Sequence, residues 1–117
     1  MRNFADIAEV TPIYRSNEHA GDGPISFRRV LSRSDFESSI DFVDYTVIPP
    51  GSSIGRHSHD GNEELYFVVS GNPLITAQGE TKRCGAGVLS VVRSGGWHEL
   101  INDTGEEVRI LVVQVGL

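Results

Sequence analysis

The sequence predicts a single all-β domain, a sandwich or barrel. Three observations carry this. Nine short runs rich in Val, Ile, Leu, Phe and Tyr follow one another along the chain, and such residues suit a pleated, half-buried surface. Turn formers separate the runs at intervals of about 8–12 residues, the spacing of antiparallel β folds. Helical periodicity is scarce, confined to a turn or two within 4–10 and another within 34–37.

The runs are 25–32, 40–48, 55–59, 64–70, 74–78, 80–84, 88–92, 98–102 and 107–115. Residues 1–24 precede them and end in Gly21-Asp22-Gly23-Pro24. They read as an arm or lead-in, either crossing to a neighbouring subunit or frayed, with the barrel in 25–117. Pro49-Pro50-Gly51 ends the second run, because proline cannot donate to a ladder. Gly71-Asn72-Pro73, Gln78-Gly79 and Asn102-Asp103-Thr104-Gly105 read as tight turns between later runs. In the second run Tyr45 and Val47 share a face, with Val43 beside them, and are expected to line the barrel.

The chain has 117 residues, room for one domain and no second. Its one cysteine, Cys84, excludes an intrachain disulfide and is expected to pack as a small hydrophobe. No basic segment followed by an apolar one opens the chain, and no apolar run is long enough to span a bilayer, so a cytoplasmic location away from membranes is expected. The formal charge is −6, and basic residues cluster no further than pairs such as Arg28-Arg29. Nucleic acids need a basic face, which disfavours them as partners.

His57 and His59 are two apart, so in a strand both imidazoles point to one face. Glu64 opens the next run after the loop Asp60-Gly61-Asn62-Glu63, and a tight turn there folds it back beside them. His98 begins another run. Three imidazoles and a carboxylate form a mixed N/O donor set suited to one divalent transition metal: Fe, Mn, Ni, Co, Cu or Zn. His19 lies in the lead-in and reads as a surface residue. Trp97 adjoins His98 but alternates to the opposite face.

From Gly51 to Gly71 the chain reads Gly, five residues, His57-Ser58-His59, four residues, Glu64, six residues, Gly. From Gly87 to Asn102 it reads Gly, five residues, Arg93, one residue, Gly95, two residues, His98, three residues, Asn102. These segments resemble the two motifs of the cupin superfamily, and the spacer 72–86 resembles that of small single-domain microbial cupins. Arg93 stands where cupins usually carry proline. The resemblance implies a jelly-roll β-barrel, often dimeric, holding one metal through His57, His59, Glu64 and His98. It also implies a metal-dependent enzyme acting on a small organic molecule. Dioxygenase-type oxidation is the leading expectation. The alternatives are Lewis-acid isomerisation, cyclisation or elimination, and a sensory cupin without catalysis. Tyr66, on the Glu64 face, is a candidate catalytic hydroxyl. Arg93 is a candidate anion-binding residue, since guanidinium presents a planar fork to carboxylate or phosphate. A homodimer is expected, because Leu65, Phe67 and Val69 face away from the Glu64 side and call for a cover.

Overall fold

A computed structural model describes all residues, 1–117. Its ten strands are β1 (Ile13–Ser16), β2 (Pro24–Ser32), β3 (Ile40–Ile48), β4 (Ser53–Ser58), β5 (Asn62–Ser70), β6 (Leu74–Ala77), β7 (Glu80–Arg83), β8 (Leu89–Val92), β9 (Trp97–Ile101) and β10 (Val108–Gly116). They form two antiparallel sheets, ordered β1-β2-β3-β10-β5-β8 and β4-β9-β6-β7. The only helical pieces are 3₁₀ turns at Ile7–Glu9, Glu18–Ala20 and Arg33–Asp35. No helix is long and apolar enough to cross a membrane.

The sheets meet over one core, in which Ile48, Val68, Leu100, Val108 and Ile110 are fully buried. Cys84 joins this core, as its small apolar character predicts. Strand alternation explains the inward set on β5: Glu64, Tyr66 and Val68 are buried while Leu65, Phe67 and Val69 are not.

β3 faces the opposite way from expectation. Asp44, Thr46 and Ile48 are buried and point inward, whereas Val43, Tyr45 and Val47 lie on the outer face. The odd positions are the more apolar, so alternation alone favoured them for the core. Two contacts reverse that preference. The Arg29 guanidinium holds both Asp44 carboxylate oxygens, at 3.0 and 3.1 Å, so the carboxylate is buried with a partner. Outside, Asp6, Ile7 and Ala8 of the lead-in line one depression together with Tyr45 and Val47.

The lead-in lies along its own barrel. β1 pairs with β2 from Ile13↔Phe27 to Ser16↔Pro24. Arg28 donates to the Val10 carbonyl at 2.9 Å, and Arg2 is ion-paired with Asp35. β1 was not among the predicted strands, because all four of its residues are exposed and carry no burial alternation.

The turn Glu18–Ala20 sits directly on β4. Asn17, His19 and Ala20 all have positive φ, at 55°, 52° and 62°, a conformation that costs energy in residues with a Cβ. Two glycines permit the approach. A Cβ on Gly55 would collide with the His19 carbonyl oxygen, and one on Gly21 would lie 2.5 Å from the Ser53 carbonyl oxygen. Ser53 fastens the turn, its amide donating to the Asp22 carbonyl and its Oγ accepting from the Asp22 amide, both at 2.8 Å. Gly55→Ala is expected to lower unfolding stability by about 1–3 kcal/mol, the usual cost of overpacking. Denaturant unfolding measures this, and an unchanged midpoint would mean that the turn yields freely.

Candidate metal centre

Three strands bring the predicted ligands together. β4 carries His57, with His59 just beyond its end; β5 carries Glu64; β9 carries His98. His57 lies directly opposite His98 in the β4–β9 ladder. Glu64 returns beside His59 through the turn at Gly61, whose φ of 76° suits a residue without Cβ. His59 is locked against the loop before β9: its amide donates to the Gly96 carbonyl at 3.0 Å and its carbonyl accepts from the Gly95 amide at 2.8 Å.

One ligand atom from each of His57, His59, Glu64 and His98 lies within 4.8 Å of every other. The His98 Nε2 atom is 2.9 Å from that of His57 and 3.1 Å from that of His59. Glu64 Oε1 is 3.2 Å from His98 Nε2 and 3.5 Å from His59 Nε2. Neighbouring donors about 2.1 Å from one ion, at right angles, stand about 3.0 Å apart, so these spacings suit a shared cation.

The proton positions agree with this. His57 Nδ1 faces the Gly55 carbonyl at 2.8 Å, which can only accept, so Nδ1 carries the hydrogen and Nε2 offers its lone pair. His59 Nδ1 faces Asn62 Oδ1 at 2.6 Å and is fixed in the same way. A cation satisfies two such lone pairs and the buried carboxylate beside them, and the outer hydrogen bonds of His57 and His59 orient those two rings as metal-bound imidazoles require. The third ring, His98, has its Nδ1 buried without a partner and is held instead by stacking on Tyr66. The donor set therefore fits a divalent metal.

Burial sets the electrostatics. It pushes the Glu64 carboxyl up to about 7 against the opposing pull of His59. It pulls His57 down to about 4 and His98 to about 3, with neighbouring imidazoles adding to the effect. These two rings are neutral at ordinary pH, the form that binds metal. Tyr66 is fully buried, and desolvation raises its phenol well above the usual range. Its hydroxyl is 3.2 Å from His98 Nε2 and its ring stacks on that of His98 at 4.4 Å. It stays protonated, so that with His98 Nε2 given to a metal the hydroxyl is free to donate to a ligand oxygen.

His19 was read as a surface residue. It is exposed, yet its ring stacks on His57 at 3.8 Å with planes 13° apart. All four histidines of the chain thus gather at one place. Periodicity gave no sign of this, because the strained turn carrying His19 has none; the scarcity of histidine elsewhere was the available signal. His19→Ala is expected to free the His57 ring and weaken metal binding severalfold, whereas His19→Phe should restore it, since such stacking is worth about 0.5–1.5 kcal/mol. Competition with a chromophoric chelator measures both.

Arg93 lies elsewhere. It is exposed and lines a separate depression with Gln78, Lys82 and Leu89. Trp97 alternates away from His98 as predicted, with the Arg56 guanidinium 3.6 Å over its ring.

A model of the cupin domain matches residues 44–114, well over half of the chain. This chain is a cupin. Over 106 residues the cupin is 28% identical to an oxalate-binding protein of Thermotoga maritima, covering 91% of this chain and 88% of that protein. It superimposes on the crystal structure of a predicted oxalate decarboxylase from Thermotoga maritima with a TM-score of 0.93 and 27% identity, covering 97% and 99% of the two chains. The polyketide cyclase RemF of Streptomyces resistomycificus has a TM-score of 0.78 at 20% identity, covering 98% and 80%. At that identity the likeness is one of fold.

Proposed function

We propose that this cupin is a metal-dependent enzyme acting on a small organic acid that chelates the metal held by His57, His59, Glu64 and His98. One observation carries the reading. Three of the ligands, His57, His59 and Glu64, line a cavity of about 280 Å³, and His98, whose Nε2 lies close to all three, is fully buried. The likeness along most of their length to an oxalate-binding protein and a predicted oxalate decarboxylase, both of Thermotoga maritima, lends support.

The metal supplies Lewis-acid polarisation of bound oxygen atoms and, if redox-active, electron transfer to dioxygen. The chain's residues do the rest. The Tyr66 hydroxyl, held protonated, donates to oxygen atoms presented at the centre. Glu64 supplies negative charge from a site that water reaches poorly. Dioxygen chemistry draws less support than Lewis-acid chemistry. Such chemistry is best served by an apolar lining that keeps water from the centre. Val68 and Leu100 are buried beneath the site, but Val43 and Val47 point outward, and Asp44 and Thr46 line the cavity instead. These two polar side chains make their side of the cavity a poorer shield for a reactive species than valines would.

Binding without turnover is a second reading, favoured by the name of the Thermotoga maritima binding protein. Metal-loaded protein incubated with oxalate and 2-oxo acids, in parallel with and without dioxygen, separates the two, with carbon dioxide, isomerised products and dioxygen uptake measured. Product without dioxygen supports the Lewis-acid enzyme. Product only with dioxygen consumption overturns it in favour of oxidation. Tight binding with no product leaves the binding role. No binding overturns the chelating-acid reading altogether.

A further inference from the structure

From the shape and charge of the cavity wall we infer that the ligand carries a flat apolar body, an aryl group, beyond its chelating head. The inference rests on the chelating-acid reading above and narrows its substrate class. The cavity, about 280 Å³, approaches the range of roughly 300–1,000 Å³ that holds larger organic ligands. A two-carbon dicarboxylate displaces only about three waters, each about 30 Å³. Seated on the metal ligands, it leaves most of the cavity unfilled.

The wall beyond the ligands says what fills the rest. Ile25, Ile54 and Val112 are buried along it, and the half-buried rings of Phe27 and Phe42 extend it on β2 and β3. Such a surface gains from covering an apolar body. The wall is poorly suited to a second carboxylate. Its one arginine, Arg29, has Nε and Nη2 committed to Asp44, and its guanidinium lies 4.3 Å over the Phe42 ring. Glu18 adds negative charge facing the same space. A dianion extending past the metal meets Glu18 and an arginine already neutralised by Asp44, whereas an uncharged aryl group meets Phe27 and Phe42.

Calorimetry on the metal-loaded full chain tests this with pyruvate and phenylpyruvate, which share one chelating head, and with oxalate. Phenylpyruvate is expected to bind at least about tenfold more tightly than pyruvate, the effect of burying a phenyl group. Phe42→Ala and, separately, Phe27→Ala should bring that ratio towards one by weakening phenylpyruvate binding, with metal content retained. Pyruvate or oxalate binding as tightly as phenylpyruvate would overturn the aryl inference and leave the chelating-acid reading intact. An unchanged ratio in both variants would also overturn it, since the ring would then lie elsewhere. Failure of all three acids to bind the loaded centre would overturn both readings.

Discussion

Alanine in place of His57, His59 or His98 is expected to lower metal affinity by more than about a hundredfold, beyond the 10–100-fold that loss of an outer hydrogen-bond partner costs. The geometry gives the reason. His98 Nε2 is within 3.1 Å of both other imidazole nitrogens, so each ring supplies one corner of a shared shell. No other histidine can step in: the fourth, His19, stacks flat on the outside of His57. Glu64→Gln keeps the size of the side chain but removes the one anionic donor, and should also lose metal. The fold should survive all four changes, because the main core lies beside the centre in Ile48, Val68, Leu100 and Ile110. Elemental analysis of each purified variant, with circular dichroism to verify folding, measures the effect. Full metal content in all four would show that the metal binds elsewhere or not at all.

The ligand set was legible because two independent signals agreed. Alternation put His57 and His59 on one face, and the resemblance carried by the glycine and histidine spacing implied Glu64 and His98 as their companions. The strands β2 to β10 were legible for a similar reason, as turn residues bracket most of them. What could not be read was anything set by contacts distant in sequence. The inward face of β3 depends on Arg29 meeting Asp44 from the neighbouring strand. The place of His19 depends on Gly21 and Gly55 letting two backbones touch across 34 residues of chain. Arg93 stands within the second motif, yet it lines a depression with Gln78, Lys82 and Leu89 rather than the cavity beside the ligands. Local pattern fixes which residues share a strand face; partners from elsewhere decide which face is inside.

Metal occupancy is expected to fall steeply as pH drops below about 7, earlier than an ordinary carboxylate ligand would cause. Burial holds the Glu64 carboxyl at about 7 in the metal-free protein, so its proton competes with the metal from there downward. One competing proton weakens apparent binding about tenfold per pH unit. His57 and His98, lowered to about 4 and 3, add their competition only in much stronger acid. Stability follows by linkage. A folded-state pKa raised above the unfolded value means that stability is lost as pH rises from about 4.5 to 7, because ionised Glu64 is buried without its cation. Metal removes that penalty. The gain in melting temperature on adding metal should therefore be small near pH 5 and larger near pH 8. The depressed imidazoles act in the opposite sense, since stability they contribute above about 6.5 is lost as pH falls towards 4 and 3. Thermal melts of stripped and loaded protein across that span measure both trends. A metal-induced gain that stayed constant from pH 5 to 8 would mean that Glu64 is already ionised in the metal-free site, with its charge met by a neighbour other than the metal.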